Sequence, residues 1–336
     1  MTERLRIGSR GSKLALIQSE WVRARLRELH PGLAVEIEVI HTKGDKILDA
    51  PLARIGDKGL FTKELEAAIL ERRVDIAVHS AKDMPTETPE GLAIAAFTAR
   101  EDVRDVFVAR DAAAADGGAA AGPRSLVDLP AGAIVGTSSL RRRSQLLAAR
   151  PDFDLVDIRG NVETRLRKVE DEGLAGTVLA AAGLARLGRA GVAAFAFMFD
   201  EMLPAVGQGS LAVEARADDE ETYALVAPLQ HEPAAVAVRA ERALLHALEG
   251  GCQVPIAAFG ELVEETAEDA GARAAGANGL RLRAFVGSLD GSDTVRRERR
   301  GDAGVPEELG CALAADLLAA GADRILRGVR GETTDG

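Results

Sequence analysis

Strand-like and helix-like segments alternate along most of the first two hundred residues, and this alternation limits the chain to a few folds. Leu5–Ser9 has the pattern of a short strand, Lys13–Leu29 repeats apolar residues at helical spacing, and Val35–Ile40 alternates as a strand does. The same order begins again with Ala133–Gly136 and Ser139–Ala149. Such units favour mostly parallel sheets with helices on both faces, so we predict an α/β protein with doubly wound lobes.

The last hundred residues follow a different pattern. Met202–Gly209 interrupts the alternation with a proline and two glycines, and the strand predicted at Ala212–Ala215 returns the chain to the first lobe. A long helix at Ala234–Leu248, three strands and a helix at Pro306–Leu326 follow. The polar segment Glu261–Gly279 is predicted to be a connecting loop. We therefore expect a distinct C-terminal part.

Charge and cysteine content exclude several classes of protein. The 336 residues carry a net charge of −11 with a pI near 5.1, which argues against general binding to nucleic acid or to an anionic membrane. Cys252 and Cys311 are too few for a disulfide framework, so we expect a reducing cytoplasm. The longest uncharged stretch, Gly173–Ala185, has 13 residues. A membrane-spanning helix needs about 18 or more, so none is predicted.

One segment has a charge opposite to that of the chain. Eight basic and four acidic residues lie between Ser138 and Lys168, which gives a local charge of +4. A cationic segment in an acidic protein suggests a site for a small polyanion, and the alternative is a solvated helix face. Composition alone does not choose between these two interpretations.

Common catalytic and metal motifs are missing or unconvincing. The five histidines show no ligand spacing, so no metal site is predicted. Gly207–Ala212 fits the pattern G-x-G-x-x-A, which binds a dinucleotide in many dehydrogenases. The segment follows a proline turn and leads into a strand instead of a helix, so we reject the dinucleotide interpretation.

Four other segments place reactive or ligand-binding residues where a strand or helix ends. They are Ser9–Ala15 (S-R-G-S-K-L-A), Val78–Pro85 (V-H-S-A-K-D-M-P), Gly136–Arg142 (G-T-S-S-L-R-R) and Leu248–Pro255 (L-E-G-G-C-Q-V-P). Helix starts and guanidinium groups bind carboxylates, and an anionic aspartate in a cleft stabilises positive charge.

Each of the four segments also has alternatives. The residue types of the first favour a plain helix cap at Ser12. For the second, an exposed charged turn is the commoner case for a Lys-Asp pair. Adjacent arginines at the helix start of the third oppose the helix dipole, a cost that a pocket for several carboxylates would explain. Cys252, after two glycines, is open enough to be a nucleophile, a metal ligand or an attachment point.

These segments, in this order along almost the whole chain, resemble the porphobilinogen deaminase (hydroxymethylbilane synthase) family. Four further motifs carry the resemblance: K-G-L-F-T-K-E-L-E, R-E-D-V-R-D-V-F-V, I-R-G-N-V-E-T-R-L and L-P-A-V-G-Q-G. It implies a first domain of 1–100 with 210–228, a second of 104–205, and a small α/β third domain of 232–336 that carries the cofactor. The first two would resemble periplasmic binding proteins, with the active cleft between them.

The resemblance also implies a reaction and a cofactor. A transferase of porphyrin and haem biosynthesis would join four porphobilinogen molecules head to tail, release ammonia each time and yield hydroxymethylbilane. A dipyrromethane, linked by a thioether to Cys252, would be the primer, and Asp83 the main catalytic residue. The loop around Thr42–Gly59 would be a mobile lid. We expect a monomer that passes its product to the next tetrapyrrole enzyme and binds neither nucleic acid nor membrane.

The family's binding residues transfer to matching positions of this chain. Contacts to the cofactor are expected from Lys82, Thr137, Ser138, Ser139, Arg141, Arg142 and Arg165. Contacts to substrate or the growing chain are expected from Arg10, Ser12, Gln18, Arg159 and Arg186.

Two features depart from the family's usual pattern, and two other functions compete with the one it implies. The departures are an Ala/Gly insertion at Asp111–Arg124 and the loop at Glu261–Gly279. A two-lobed anion-binding or effector-sensing module without catalysis is one alternative, and Cys252 discriminates because a reversible binder needs no covalently mounted cofactor. A dehydrogenase depends on the rejected glycine pattern.

Overall fold

The computed structural model of the chain describes residues 3–46, 59–110, 122–248, 254–264 and 278–331. Cys252, most of the predicted lid and most of the predicted insertion lie outside these residues. No helix within the described ranges is long and apolar enough to cross a membrane.

The chain divides into two compact units. The first comprises 1–102, 182–190 and 208–235, and the second comprises 103–181, 191–207 and 236–336. The second unit thus contains both the middle of the chain and its C-terminal part, and the exact boundaries of three domains stay a prediction.

The first unit is built on a five-stranded sheet in the order β2-β1-β3-β10-β4. Its strands are β1 (Arg4–Arg10), β2 (Ala34–Ile40), β3 (Ile76–Ser80), β4 (Leu92–Phe97) and β10 (Leu211–Arg216), and its helices are α1 (Lys13–Leu29), α2 (Lys63–Leu70) and α6 (Glu220–Val226). Strand β1 runs parallel to β2 and β3, whereas β10 is antiparallel to β3 and β4. Val22 and Leu26 of α1 pack in one apolar core of this unit, and Leu65 and Ile69 of α2 pack in another.

The second unit contains a sheet of the same design, in the order β7-β6-β8-β5-β9. Its elements are β5 (Asp105–Ala109), β6 (Ile134–Gly136), α3 (Leu140–Ala149), β7 (Asp154–Val156), α4 (Val162–Asp171), β8 (Gly176–Ala180) and β9 (Phe195–Ala196); α5 (Ala181–Arg186) begins directly after β8. Strand β6 is parallel to β7 and β8, and β5 is antiparallel to β8 and β9. In both sheets, three parallel strands are followed by one reversed strand.

The C-terminal part forms an antiparallel sheet of β11 (Ile256–Glu264), β12 (Asn278–Gly287) and β13 (Thr294–Asp302). Helices α7 (Glu232–Ala247), α8 (Pro306–Leu317) and α9 (Asp323–Arg330) accompany it. Leu244 of α7 and Leu313 of α8 share an apolar core with Leu282 of β12. The predicted α/β class, with two doubly wound lobes and a small C-terminal α/β domain, is confirmed by these three sheets.

Two sequence predictions in the C-terminal part are wrong. The segment predicted as one helix from Pro306 to Leu326 is interrupted at Gly321, whose φ of +98° is left-handed and ends the regular helix. The predicted loop Glu261–Gly279 is wrong at its two ends only: residues 261–264 belong to β11 and 278–279 to β12, and 265–277 lie outside the described residues. Glu261 accepts hydrogen bonds from Arg281 and Arg283 across the pair β11–β12. Cross-strand ion pairs let polar residues occupy a strand.

Glu241 of α7 is a fully buried carboxylate that holds two backbone amides. Its oxygens accept hydrogen bonds from the N–H groups of Gly207 and Gly260, each at 2.7 Å. We expect Glu241→Ala to lower the free energy of unfolding by about 2–6 kcal/mol in urea denaturation, since each orphaned buried donor costs about 1–3 kcal/mol. The control Glu307→Ala removes an exposed pair with Arg239 and should cost less than about 1 kcal/mol. Equal losses in both variants would contradict this assignment.

Candidate active site

A pocket of the first unit opens where β1 and β3, which are parallel neighbours, both end. Strand β1 leads through Arg10 into α1, and β3 leads into a tight helical turn, Ala81–Asp83. The pocket has an empty volume of about 390 Å³, and its lining includes Arg10, Ser12, Gln18, Phe61, Ser80 and Asp83. The parallel register therefore brings together two segments that are about seventy residues apart in sequence, at the sheet end where α/β proteins bind ligands.

Three predicted substrate residues line this pocket with defined contacts. The guanidinium carbon of Arg10 lies 4.1 Å from the centre of the Phe61 ring. Ser12 caps α1 by accepting a hydrogen bond from the backbone N–H of Ala15 at 3.3 Å. The side-chain amide of Gln18 donates to the hydroxyl of Ser80 at 2.9 Å. Ser12 is thus both a helix cap and a pocket residue, so the two interpretations of this segment are compatible.

The turn that carries Asp83 is hydrogen-bonded to the segment after Gly207. The carboxylate of Asp83 is exposed. The backbone N–H of Ala81 donates to the carbonyl of Ser210 at 3.0 Å, and Lys82 Nζ donates to Gln208 Oε1 at 3.2 Å. The glycine-rich segment that we rejected as a dinucleotide motif therefore holds this turn in place.

Arg186, at the end of α5, belongs to the first unit and contacts the same segment. Its Nη2 donates to the carbonyl of Gly209 at 2.6 Å. Burial lowers the pKa of Arg186, and the negative charge of Glu101 partly offsets that effect. A guanidinium that is partly desolvated in this way binds an anion more strongly than a fully hydrated one.

His79, which also lines the pocket, belongs to a buried acid–base cluster. His79 Nε2 is 3.1 Å from Glu214 Oε2, and both side chains are almost completely inaccessible to solvent. Glu66 of α2 interacts electrostatically with both, and burial, reinforced by the charge of Glu214, raises its pKa. Since His79 directly precedes Ser80, this cluster supports the strand end that leads to Asp83.

In the second unit, the carboxyl end of β6 leads into the hydroxyl-rich start of α3. The backbone N–H of Ser139 donates to Thr137 Oγ1 at 3.2 Å, and Ser138 Oγ donates to the carbonyl of Ile158 at 3.0 Å. Ser139 is the N-cap of α3 and accepts from the N–H of Arg142 at 3.4 Å. The three hydroxyl residues therefore shape the turn that presents the two arginines.

Arg141 and Arg142 are both buried and share one carboxylate, that of Asp105 in β5. Arg141 Nη1 is 2.6 Å from Asp105 Oδ2, and Arg142 Nη2 is 2.7 Å from Asp105 Oδ1. Burial by itself would raise the pKa of Asp105, but attraction by the two guanidinium groups outweighs burial and holds that pKa well below its usual range. Two positive charges at the start of α3 are unfavourable in the field of the helix dipole. The carboxylate of Asp105 offsets part of this cost.

Arg159 and Arg165 follow β7, the neighbour of β6. Arg165 Nε donates to the carbonyl of Gly160 at 2.9 Å, and Asn161 caps α4 by accepting from the N–H of Thr164 at 2.8 Å. Arg159 Nη1 is a buried nitrogen without a hydrogen-bond partner among the described residues. An orphaned buried donor of this kind fits an anionic ligand.

Sequence reasoning overlooked Asp105, the residue that organises the arginines. A recognisable signal was present, because Asp105 opens the apolar run D-V-F-V-A and an acid buried in a strand requires a cationic partner. The partners are 36 and 37 residues away along the chain, so only the pairing of β5 with β8 and the placement of α3 identify them.

Two family models match the chain consecutively. "Porphobilinogen deaminase, dipyromethane cofactor binding domain" matches residues 5–224, and "Porphobilinogen deaminase, C-terminal domain" matches residues 235–319. The first match contains all the site residues described above, and the second begins within α7.

Curated relatives are similar over nearly their whole length. Porphobilinogen deaminase of Syntrophotalea carbinolica is 49% identical over 322 residues, covering 96% of this chain and 95% of the relative. That of Moorella thermoacetica is 50% identical over 329 residues, covering 98% and 97%. Among solved structures, the periplasmic VFT2 domain of Bordetella pertussis BvgS is 17% identical, with a TM-score of 0.38 over 68% of this chain and 86% of that domain.

Proposed function

Because the chain belongs to the porphobilinogen deaminase family, we propose that it joins four porphobilinogen molecules head to tail, releases ammonia at each addition and yields hydroxymethylbilane. This transferase reaction belongs to tetrapyrrole biosynthesis. The observation that carries the proposal at the level of residues is the position of Asp83, which lines one pocket together with Arg10, Ser12 and Gln18.

Asp83 is the main catalytic residue in this proposal. Its exposed carboxylate lies on a turn held by Ser210 and Gln208, so its position is set by the fold and not by a flexible loop. A preorganised anion stabilises the positive charge that develops on a pyrrole nitrogen and assists departure of the amino group. Arg10 of the same pocket supplies a cation for the substrate's carboxylates.

The residues of the second unit fit a polycarboxylate cofactor. Arg141 and Arg142 together carry one more positive charge than Asp105 neutralises, and this excess suits a ligand with several carboxylates. Thr137, Ser138, Ser139 and Arg165 follow the ends of β6 and β7 and belong to the cofactor-binding set in this proposal. Lys82 is proposed as a further contact to the cofactor. When bound, the dipyrromethane supplies the primer to which substrate units are added.

The remaining substrate contacts are assigned to Arg10, Ser12, Gln18, Arg159 and Arg186. Burial lowers the pKa of Arg186, and the carbonyl of Gly209 holds its guanidinium in one orientation. Fixed guanidinium groups bind carboxylates with less loss of side-chain entropy than mobile ones. Acetate and propionate groups of successive rings give the growing chain several carboxylates for these residues.

Location and assembly complete the proposal. Two cysteines in 336 residues suit a reducing compartment, so we propose that the protein lies in the cytoplasm. We also propose that it is a monomer, as the family resemblance implies. Hydroxymethylbilane would pass to the next enzyme of tetrapyrrole biosynthesis.

The cofactor and its attachment are tested together by intact mass. We expect the purified, denatured protein to be heavier than its sequence by two linked porphobilinogen-derived rings, and Cys252→Ser to have the bare mass. Cys311→Ser is the matched control, because Cys311 is an exposed thiol of α8 that should leave the mass excess unchanged. A bare mass in the unaltered protein, even after incubation with porphobilinogen, would refute the deaminase function and favour the anion-binding module.

A further inference from the structure

Asp105 connects the two adjacent arginines of α3 through different oxygen atoms. Arg141 Nη1 contacts Oδ2, whereas Arg142 Nε and Nη2 contact Oδ1 at 3.2 and 2.7 Å. Asp105 is completely buried, and each arginine is only 6% exposed. One carboxylate therefore sets the positions of two guanidinium groups that would otherwise repel each other.

Backbone carbonyls complete this arrangement. Arg141 Nη1 also donates to the carbonyl of Leu203, and Arg142 Nη1 donates to that of Val178, both at 2.8 Å. Leu203 is itself clamped by Gln145 of α3, which accepts from its N–H at 2.9 Å and donates to its carbonyl at 3.0 Å. The arginines are thus fixed before any ligand binds, so little side-chain entropy remains to be lost on binding.

The cluster of Asp105, Arg141 and Arg142 carries a net charge of +1. In the described part of the chain, Asp105 is the only carboxylate in ion-pair contact with either arginine. The low pKa of Asp105 keeps its carboxylate ionised at neutral pH, so Asp105 cancels one of the two guanidinium charges and leaves the other uncompensated within the cluster. A buried charge without a counterion is costly, and an anionic ligand removes that cost.

We propose that Asp105 is a positioning residue that holds Arg141 and Arg142 in place for the carboxylates of the dipyrromethane cofactor. This inference rests on the proposed function, because it takes the cofactor to be the anion. Asp105 does not contact the ligand in this proposal, and its effect reaches the ligand through the two guanidinium groups.

The test follows cofactor loading of the full-length apoprotein by intact mass, at increasing porphobilinogen concentrations. Assays run below the melting temperature of the least stable variant. Asp105→Asn keeps the size of the side chain but presents an NH₂ group to one guanidinium. The substitution also raises the charge of the cluster from +1 to +2, so an effect of charge alone would lower the half-saturating porphobilinogen concentration. If Asp105 positions the arginines, we expect that concentration to rise about tenfold or more, with the final mass unchanged, because charge-assisted contacts to the ligand lose their alignment.

Two further variants separate positioning from a purely structural role. Asp105→Glu keeps the charge and should restore part of the loading, and it becomes the deciding variant if Asp105→Asn does not fold. Asp152→Asn is the matched control, because Asp152 accepts a bidentate pair from Arg150 at the surface, with both distances 2.8 Å. It should load like the unaltered protein.

Each outcome bears on the proposal. A half-saturating concentration equal to that of the unaltered protein, with only the folded fraction reduced, assigns Asp105 a structural role and overturns the inference. The inference is likewise overturned if Asp105→Asn fails to fold and Asp105→Glu loads normally. If the unaltered protein gains no mass, the proposed function fails, and that result is recognisable without any Asp105 variant.

Discussion

Replacing Asp83 with asparagine is expected to lower hydroxymethylbilane formation about 100- to 1,000-fold, the range found when one preorganised electrostatic contact to a transition state is removed. Asparagine keeps the shape of the side chain but cannot neutralise a developing positive charge. Asp83 is exposed and lies outside the apolar cores, so the variant should fold and carry its cofactor normally. The measurement is single-turnover kinetics with porphobilinogen, on protein whose loading has been verified by intact mass.

The matched control for this variant is Glu90→Gln. Glu90 is an exposed acid seven residues further along the chain and does not line the pocket of Asp83. Glu90→Gln removes one negative charge, as Asp83→Asn does, but removes it outside the pocket. We therefore expect this variant to retain full turnover. Near-normal product formation by Asp83→Asn would remove Asp83 from its catalytic role, whereas an equal loss in both variants would point to long-range charge.

The elements that present the site could be predicted because their signals are local. Ser139 and Asn161 are favoured N-cap residues, and the helices α3 and α4 begin directly after them. Helix α1, predicted at Lys13–Leu29, has those bounds in the structure. Since ligand sites of α/β sheets lie at the carboxyl ends of strands, predicting the strand ends was enough to collect most of the candidate residues.

The interactions that organise the site could not be predicted, because they join residues distant in sequence. Asp105 pairs with arginines 36 and 37 residues later in the chain. His79 pairs with Glu214, which lies 135 residues later on another strand of the sheet. Burial decides both pairings, and burial depends on sheet order, which a local pattern does not encode. The family resemblance transferred ligand contacts residue by residue but assigned no role to these supporting acids.

The Arg141→Ala variant should reduce the cofactor-loaded fraction to less than about a tenth of the protein, because two effects act together. The substitution removes one of the two guanidinium groups assigned to the cofactor. It also removes one of the two arginines that pair with Asp105 in the cluster, so the net charge of the cluster falls from +1 to zero. A cluster without excess positive charge attracts the cofactor's carboxylates less strongly. The measurement is the fraction of heavy and bare masses in freshly purified protein.

Stability must be separated from loading in this experiment, since breaking a buried ion pair costs about 3–5 kcal/mol. Urea denaturation of the apoprotein provides that separation, and Arg141→Lys gives a second variant that keeps the charge but not the planar fork of donors. We expect Arg141→Lys to load partially. Arg143→Ala is the control: Arg143 lies two positions further along α3, and its Nη1 donates only to the carbonyl of Leu155 in the contacts described, at 3.1 Å. That contact lies outside the Asp105 cluster. If Arg143→Ala carries the cofactor normally and Arg141→Ala has the bare mass, the loss of loading is assigned to the cluster. If Arg141→Ala is fully loaded, the cofactor's carboxylates bind elsewhere.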